Sequence, residues 1–419
     1  MIGDDAVVRA PGASGQVTGA MPMLSATPTT TAPTGSTWSD RVAAANTGLA
    51  AGARWRRPLT FDARGPAGVL TEDGDEVVAF ASNDYLGLTS HPAVVAAAHE
   101  ALDRWGTGSG ASRLVTGSRP VHDALEGALA AHMGTERAVV FPTGFAANLG
   151  VLSAFGQPGV RICSDELNHA SIVDGARLAR AEVAVYRHRD TDHLATLLAT
   201  SPGPAIVVTD LVFSMDGDVA PLPDIAELCR RHGALLLLDE AHAVLGPDPA
   251  PHLGDLDVIR VGTLSKTLGS LGGFAAATRP FAELLVNRAR SYIFTTAPSP
   301  ADAAAALASL GVLDSAEGDA LRARLAAHVA RVAPGHPSPI VPVVLGSDER
   351  ALAASAALRA RGAWVPAIRP PTVPEGTARL RVSLSAAHSD AQVTLLLDAL
   401  AEVRAAFAPD DGRRPVTVR

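Results

Sequence analysis

The chain of 419 residues is 47% hydrophobic and 19% charged, and it carries a formal net charge of −8. This length and composition predict a globular protein whose large core is divided between two domains. The acidic balance argues against a nucleic-acid-binding protein or a polybasic membrane anchor, and no apolar run reaches membrane-spanning length. Two cysteines, Cys163 and Cys229, are too few for a disulfide framework or a cysteine metal site, so a reducing cytosolic location is expected.

Residues 1–37 are rich in Ala, Gly, Thr and Pro and are predicted to be a disordered extension, without the charged start and apolar block of a secretory signal. Ser39 is expected to cap a helix that runs to about Arg54. Asp73-Gly74 predicts a tight turn between two short strands. Residues 38–95 are therefore expected to form a helix and hairpin that precede the main domain.

Strands and helices alternate through the middle of the chain, and the strands are almost entirely apolar. Such a pattern predicts an α/β domain over residues 96–297, in which a large doubly wound and mostly parallel sheet is covered on both faces. The predicted strands are residues 137–141, 160–164, 183–186, 205–209, 234–238, 258–263 and 273–278. An Ala-rich helical stretch from Ala301 then leads to three further strands, at residues 340–345, 363–368 and 378–384. Residues 298–407 accordingly predict a smaller α+β domain, followed by a flexible tail at 408–419.

Lys266 is the only lysine among the 35 basic residues of the chain. An arginine stays protonated, whereas a lysine amine can lose its proton and attack a carbonyl carbon to form a Schiff base. The surrounding residues 262–269 are small or hydroxylated and follow a predicted strand, which leaves space for a planar cofactor. The alternative is a surface lysine retained by chance.

Asp239 directly follows four leucines at the end of a predicted strand. A carboxylate in such apolar surroundings is costly unless a cation meets it. A protonated pyridine nitrogen is one such cation, and a carboxylate that keeps it charged makes the ring an electron sink. His242, three residues further on, could then reach the phenolic oxygen of the same ring. A capping Asp with a surface His is the alternative.

Other polar residues also follow predicted strands, and ligands of open α/β sheets bind at these carboxyl ends. The backbone N–H groups of Gly144 and Phe145, at the start of a predicted helix, could bind a phosphate. His169 could stack on a planar ring, and the Ser214 hydroxyl could lie beside it. Each could also be an ordinary turn or loop residue.

The loop from Gly106 to Gly110 superficially resembles a dinucleotide-binding fingerprint. It follows a predicted helix instead of a strand, and its spacing is wrong, so a nicotinamide-dependent dehydrogenase is the weaker hypothesis. Histidines such as His188 and His193 lack metal-ligand spacing, and no metal site is predicted.

In combination these motifs resemble the α-oxoamine synthases, a family of pyridoxal-phosphate enzymes with the aspartate-aminotransferase fold, also called fold type I. The resemblance covers residues 39–405. It is carried by residues 82–88 (SNDYLGL), 106–117, 143–148, 169–171, 212–218, 239–242 and 263–266. It implies a large cofactor-binding domain and a homodimer with shared active sites.

The resemblance also implies a role for each matching residue. Lys266 resembles the lysine that forms the Schiff base with pyridoxal 5′-phosphate, and the implied catalytic residues are Lys266, His169, Asp239 and His242. The same four residues, together with Gly144, Phe145, Ser214 and Thr263, are the implied cofactor contacts. The implied substrate contacts are Arg54, Asn83, Arg369, Thr372 and Arg381, of which Arg381 matches the arginine that binds the amino-acid carboxylate.

The implied reaction is the decarboxylative condensation of an amino acid with an acyl thioester. The resemblance implies L-alanine and a pimeloyl thioester as substrates, the latter carried by coenzyme A or by a carrier protein, and residues 368–374 favour the pimeloyl group. The alternatives are glycine with acetyl- or succinyl-CoA, serine with a long acyl chain, or a catalytically silent structural paralogue. The sequence departs from the family pattern at Ser265, where many relatives have glycine, and in the short Pro-rich segment 246–255.

Overall fold

The computed structural model describes residues 37–51 and 55–407. Three predictions therefore fall outside the described residues: the tail at 408–419, the N-terminal extension apart from its last residue, and Arg54. The first helix is α1 (Trp38–Ala51), none of whose residues is buried. Its cap is Thr37 and not Ser39, because the Thr37 Oγ1 accepts from the Asp40 N–H at 3.2 Å while the Asp40 carboxylate accepts from the Thr37 N–H at 2.9 Å. The three-residue spacing between these two side chains permits this reciprocal cap.

Three short antiparallel strands follow, β1 (Phe61–Ala63), β2 (Ala67–Leu70) and β3 (Asp75–Ala79). The predicted turn joins β2 to β3, and Gly74 has a φ of 74° there. Helices α2 (Pro92–Trp105) and α3 (Pro120–His132) come next, and the glycine loop lies between them. A loop that follows a helix lacks the strand that a dinucleotide fingerprint requires.

A seven-stranded sheet forms the centre of the described chain. Its strands are β4 (Arg137–Phe141), β5 (Arg161–Asp165), β6 (Glu182–Tyr186), β7 (Ala205–Asp210), β8 (Leu235–Asp239), β9 (Val258–Thr263) and β10 (Gly273–Ala277). Their order is β4-β10-β9-β8-β7-β5-β6. Only β10 runs antiparallel to its neighbours, so the predicted mostly parallel sheet is confirmed.

Helices cover both faces of this sheet. They are α4 (Gly144–Phe155), α5 (Ala170–Leu178), α6 (Thr191–Ala199), α7 (Leu222–His232), α8 (Ala250–Leu253), α9 (Arg279–Arg288) and α10 (Arg290–Ile293). Successive side chains of a strand point to opposite faces. On β8, Leu237 accordingly packs in one hydrophobic cluster while Leu236 and Leu238 pack in another. Burial on both faces explains why this strand consists of leucines.

The C-terminal part contains helices α11 (Pro300–Leu313), α12 (Ala316–Val332), α13 (Asp348–Arg359) and α14 (Asp390–Ala406). Its strands are β11 (Ile340–Gly346), β12 (Ala363–Trp364), β13 (Ala367–Ile368) and β14 (Ala378–Ser383), and β11, β14 and β13 form a three-stranded sheet. The prediction of a single strand over residues 363–368 was wrong. β12 pairs with β3, whereas β13 pairs with β14. The break falls at Pro366, which has no N–H for a ladder.

One hydrophobic cluster connects these parts of the molecule. It includes Val140 of the central sheet, Tyr85 of the N-terminal segment and Val382 of the C-terminal sheet. Residues carried by three segments are thus held in place by a common core. The division into segments 38–95, 96–297 and 298–407 stays a prediction. No helix in residues 37–51 and 55–407 has the length and apolarity needed to cross a membrane.

Candidate active site

Lys266 lies in the turn after β9. Gly269 ends this turn with a φ of 56°, and a Cβ there would come within 2.5 Å of the Thr89 backbone nitrogen, so glycine is required. The Lys266 Nζ lies 2.9 Å from the His242 Nε2. Burial lowers the pKa of the Lys266 amine, although the nearby Asp239 charge opposes this. The unprotonated, nucleophilic form of the amine is thereby favoured.

His242 connects Lys266 to a tyrosine that the sequence analysis did not select. The Tyr85 hydroxyl lies 2.6 Å from the His242 Nδ1, and the Tyr85 side chain is fully buried. Burial, together with the positive charges of Lys266 and Arg381, holds the pKa of His242 well below its usual range. Burial also raises the pKa of Tyr85 to about 12. Both side chains are therefore uncharged at neutral pH.

Asp239 ends β8 and is 5% exposed. Its Oδ1 accepts from the Ala241 N–H at 2.9 Å, and its Oδ2 accepts from the Asn148 Nδ2 at 2.7 Å. Within the described residues, no arginine or lysine forms an ion pair with this carboxylate, and the buried Asn148 Oδ1 has no hydrogen-bond partner. A buried carboxylate of this kind fits a cationic ligand atom such as a protonated pyridine nitrogen.

His169 precedes α5 and is linked to Asp239 through two other side chains. Its Nδ1 lies 2.7 Å from the Ser171 Oγ, which accepts from the Asn148 Nδ2 at 2.9 Å. The His169 backbone N–H donates to the Asp210 Oδ2 at 2.9 Å. These bonds hold the imidazole while its ring stays exposed, as a stacking partner for a planar ring must be.

Two buried acids lie next to each other in this sheet, because Asp210 of β7 pairs in register with Asp239 of β8. Burial, and then the charge of Asp239, raise the pKa of Asp210 well above its usual range. The protonated, uncharged form of the Asp210 carboxyl group is thereby favoured.

The start of α4 has the geometry of an anion site. The Thr143 Oγ1 accepts from the Ala146 N–H at 3.0 Å, so the N–H groups of Gly144 and Phe145 in the first turn have no intrahelical partner. A Cβ on Gly144 would lie 3.2 Å from the Thr263 Cβ, which explains the glycine. The Thr263 Oγ1 in turn lies 2.7 Å from the Ser265 Oγ. Two backbone N–H groups and two hydroxyl groups thus lie close together at the start of α4, and such groups suit a phosphate.

Arg381 of β14 joins the C-terminal sheet to the site. Its Nε donates to the Ser214 carbonyl at 2.6 Å, its Nη1 to the Ser383 Oγ at 2.8 Å and its Nη2 to the Asn83 Oδ1 at 3.1 Å. Arg381 is buried, and the positive charge of its guanidinium contributes to lowering the pKa of Lys266. The structure therefore brings together Asn83, Ser214 and Arg381, three of the predicted site residues. The role of the Ser214 hydroxyl stays a prediction.

The remaining predicted substrate contacts are less closely tied to the site. Arg369 and Thr372 follow β13, which pairs with the strand that carries Arg381. Thr372 is exposed, and its backbone N–H donates to the Arg369 carbonyl at 3.1 Å. Their contact with a substrate stays a prediction, as does that of Arg54.

His188 has a structural role that the sequence analysis missed. Its Nδ1 lies 2.9 Å from the Asp165 Oδ1 and its Nε2 lies 2.8 Å from the Asp218 Oδ2. Burial alone would lower the pKa of His188, but the bonds to these two carboxylates raise it to about 9. The imidazolium braces the loop that contains Ser214. In the described part of the chain, no three His, Cys, Asp or Glu side chains are grouped to hold a metal ion.

Tyr85, Asn148, Ser171 and Asp210 were also missed as site residues. The first three lie inside the motifs that carried the family resemblance, and that position was the available signal. Asp210 ends β7 beside the end of β8, so the strand order would have selected it. His188 lacked even this signal, because its partners are far away in the sequence.

The fold and this site define a pyridoxal-phosphate-dependent enzyme of fold type I. A model of the aminotransferase class I and II family matches residues 75–400, and the chain belongs to that family. The 8-amino-7-oxononanoate synthase of Anaeromyxobacter sp. (strain K) is 52% identical over 372 residues, which cover 84% of this chain and 92% of that protein. The same enzyme of Burkholderia thailandensis is 50% identical over 353 residues, which cover 79% and 90%.

Solved structures show the same relationship. A serine palmitoyltransferase from S. paucimobilis with a bound PLP–myriocin aldimine has a TM-score of 0.82 and 32% identity, and it covers 88% of this chain and 98% of its own. The 8-amino-7-oxononanoate synthase of Francisella tularensis has a TM-score of 0.65 and 27% identity, with coverages of 79% and 99%.

Proposed function

We propose that this chain is a pyridoxal-phosphate-dependent acyltransferase that condenses L-alanine with a pimeloyl thioester. The reaction releases carbon dioxide and the thiol and forms 8-amino-7-oxononanoate, a precursor in biotin biosynthesis. The observation that carries this proposal is the position of the Lys266 amine. It contacts His242, and its pKa is affected by burial and by the charge of the nearby Asp239. Relatives that are 48–52% identical over most of their length are named for this activity.

The side chains of the site fit pyridoxal 5′-phosphate. Lys266 would hold it covalently, Asp239 would meet the pyridine nitrogen, and the exposed face of His169 would stack on the ring. The phosphate would bind at the start of α4 beside Thr263, where the Gly144 backbone N–H is free of helical bonds. When bound, this cofactor withdraws electrons from the α-carbon of the amino acid, which allows a proton or a carboxylate to leave.

Lys266 is also the base that the structure offers for the α-proton. Because burial lowers the pKa of its amine, a larger fraction of the amine is unprotonated at neutral pH. An amine in this state can accept the α-proton of alanine and return it after the carbon–carbon bond has formed and carbon dioxide has left. The contact of 2.9 Å between the His242 Nε2 and the Lys266 Nζ fixes the position of the amine.

Arg381 is proposed to bind the carboxylate of alanine. Its Nη1 and Nη2 each donate one bond to the protein, which leaves one further N–H on each nitrogen. Two N–H groups on one guanidinium suit the two oxygens of a carboxylate.

Arg381→Ala should raise the KM for alanine by about 10- to 100-fold, because charge-assisted hydrogen bonds contribute about 1.5–3 kcal/mol. The expected decrease in kcat is smaller. Steady-state kinetics with alanine as the varied substrate measure both. Arg379→Ala is the matched control, since it removes an equally buried arginine of the same strand that pairs with Asp216. It should lower the melting temperature while the KM stays within about threefold, and an unchanged KM in Arg381→Ala would refute the assignment.

A second candidate is the condensation of serine with a long acyl thioester. The high TM-score to a serine palmitoyltransferase favours it. The 52% identity to an 8-amino-7-oxononanoate synthase, against 32% to the palmitoyltransferase, favours the first candidate. Both candidates use the same cofactor, and the same lysine and aspartate would serve each.

Product formation with each amino acid–thioester pair separates these candidates. The purified enzyme should release coenzyme A and form 8-amino-7-oxononanoate with alanine and pimeloyl-CoA. Serine with palmitoyl-CoA, and glycine with acetyl- or succinyl-CoA, should react at least about 100-fold more slowly in kcat/KM, because a pocket shaped for other side chains loses several kcal/mol. Faster turnover with any other pair would replace the proposed substrates. Repeating the assay with the pimeloyl group on a carrier protein identifies the donor.

The proposal includes a homodimer in the cytosol. Large apolar side chains near the glycine loop and the Lys266 turn are exposed in the single chain, among them Val115 at 74% and Phe294 at 69%. Leu271, five residues after the lysine, is 52% exposed. A second copy that covered these side chains would remove them from water next to the active site. Two free and buried cysteines are compatible with a reducing compartment.

A further inference from the structure

Four polar side chains form a continuous chain of close contacts that ends at the reactive amine. The Lys266 Nζ lies 2.9 Å from the His242 Nε2, the His242 Nδ1 lies 2.6 Å from the Tyr85 hydroxyl, and that hydroxyl lies 3.2 Å from the Asn83 Oδ1. Tyr85 and His242 are both buried. Their mutual contact is the shortest of the three, and neither side chain has a role in the function proposed so far beyond the contact of His242 with the lysine.

The positions of the protons in this chain follow from the donors that surround Tyr85. The tyrosine has one hydroxyl proton and two possible acceptors, the His242 Nδ1 and the Asn83 Oδ1. The contact with the Asn83 Oδ1, at 3.2 Å, is longer than an O–H···O hydrogen bond usually is, and this oxygen already accepts from the Arg381 Nη2 at 3.1 Å. The contact with the His242 Nδ1, at 2.6 Å, has the length expected of a hydroxyl donor and is shorter than N–H···O hydrogen bonds usually are. The hydroxyl proton therefore points to the His242 Nδ1.

From this geometry we propose that Tyr85 is a positioning residue, which holds His242 in the tautomer with a bare Nδ1 and with its N–H on Nε2, facing the Lys266 amine. Which nitrogen of an imidazole carries the proton is set by the hydrogen bond that the other nitrogen makes. The inference deepens the proposed function and rests on it, because it assigns Lys266 as the reacting group.

The fixed tautomer has a chemical consequence at the lysine. A His242 that presents Nε2–H donates to the lone pair of an unprotonated Lys266 amine, and it can donate equally to an anionic oxygen held beside that amine. The opposite tautomer would present a lone pair and would instead favour a protonated neighbour. Tyr85 thus controls the proton balance of the reacting group without touching a substrate.

Tyr85→Phe is the direct test, because it removes only the hydroxyl oxygen from a fully buried ring. In the cofactor-loaded enzyme, kcat should fall by about tenfold or more, since proton transfer depends on a correctly placed donor. The KM for alanine should stay within about threefold. The pH midpoint of the bound cofactor's visible absorbance should shift by about 0.5 unit or more, because that absorbance reports the proton held at the lysine.

Tyr186→Phe is the matched control. Tyr186 is equally buried, at 1% exposure, but its hydroxyl makes none of the contacts that join Tyr85 to His242 and Asn83. Its removal should leave kcat and the pH midpoint unchanged. The proposal is overturned if Tyr85→Phe has the wild-type kcat and pH midpoint, or if Tyr186→Phe shows the same losses, which would indicate general damage to the core.

A second measurement decides the question even if Tyr85→Phe does not fold. Nitrogen NMR of the wild-type holoenzyme with labelled histidine should show an unprotonated Nδ1 and a protonated Nε2 for His242, and comparison with His242→Gln assigns the signals. The reverse pattern refutes the proposal. A wild-type enzyme without any cofactor absorbance would instead refute the proposed function, and the tautomer would still be read from the spectrum.

Discussion

Lys266→Arg should abolish turnover, by at least about 10³-fold, while the protein folds normally. The guanidinium keeps the positive charge but cannot lose a proton at any physiological pH, so it can neither attack a carbonyl carbon nor accept the α-proton. Lys266→Ala should lose activity to a similar degree, because alanine also lacks the amine, although its side chain is much smaller than that of arginine. Agreement between the two variants would show that the amine, and not the bulk or charge of the side chain, is required.

The composition of the chain makes the covalent link to Lys266 unusually easy to measure. Because no other lysine exists in the sequence, borohydride reduction of the cofactor-loaded enzyme should add one cofactor to the intact mass of each chain. The Lys266→Arg protein should gain none. An unlabelled wild-type protein, or activity above about 1% in Lys266→Arg, would exclude Schiff-base catalysis by this residue.

Asp239→Asn should reduce kcat on the order of 10²- to 10³-fold, because the carboxylate charge that would keep the pyridine nitrogen of the cofactor protonated, and the ring an electron sink, is lost. The substitution keeps the size of the side chain. The unpartnered Asn148 Oδ1 can accept from the new amide after a rotation of the Asn148 side chain. Since a buried carboxylate without a cation is costly, the melting temperature of the cofactor-free protein should be unchanged or raised. Kinetics and thermal unfolding together measure this separation of activity from stability.

Asp210→Asn is the matched control for this prediction. Asp210 lies beside Asp239 in the sheet register and is equally buried, but burial raises its pKa well above the usual range, which favours its uncharged form. Its replacement with a neutral amide should therefore leave kcat within about tenfold, and the amide oxygen can still accept from the His169 N–H. If the two variants lose activity equally, the charge of Asp239 has no special role.

Much of the fold was predictable because the strands of a doubly wound sheet are buried on both faces. β4 and β9 begin and end at the predicted residues, and the other central strands differ by a residue or two at their ends. The prediction failed at residues 363–368, where two sheets share one extended segment. Local sequence reports an extended backbone there, but the partner strands, β3 and β14, are nearly 300 residues and 10 residues away, respectively.

The candidate site shows the same division. Lys266, Asp239 and His242 were predictable because their chemistry is unusual for where they stand in the sequence: a solitary lysine, and an acid after four leucines. Tyr85 and His188 were not, since a tyrosine in an apolar motif and a histidine in a polar loop are ordinary residues in a sequence.

By itself, the sequence determined the class of fold and predicted the cofactor and the amine that would bind it, because hydrophobic period and residue type are local properties. Only the tertiary structure decided which side chains lie around that amine. Arg381 comes from the C-terminal sheet, Tyr85 from the segment after β3, and His242 from the loop after β8, and the common core brings all three together. Protonation depends on burial and on charges a few ångströms away, and these distances exist only once the chain has folded.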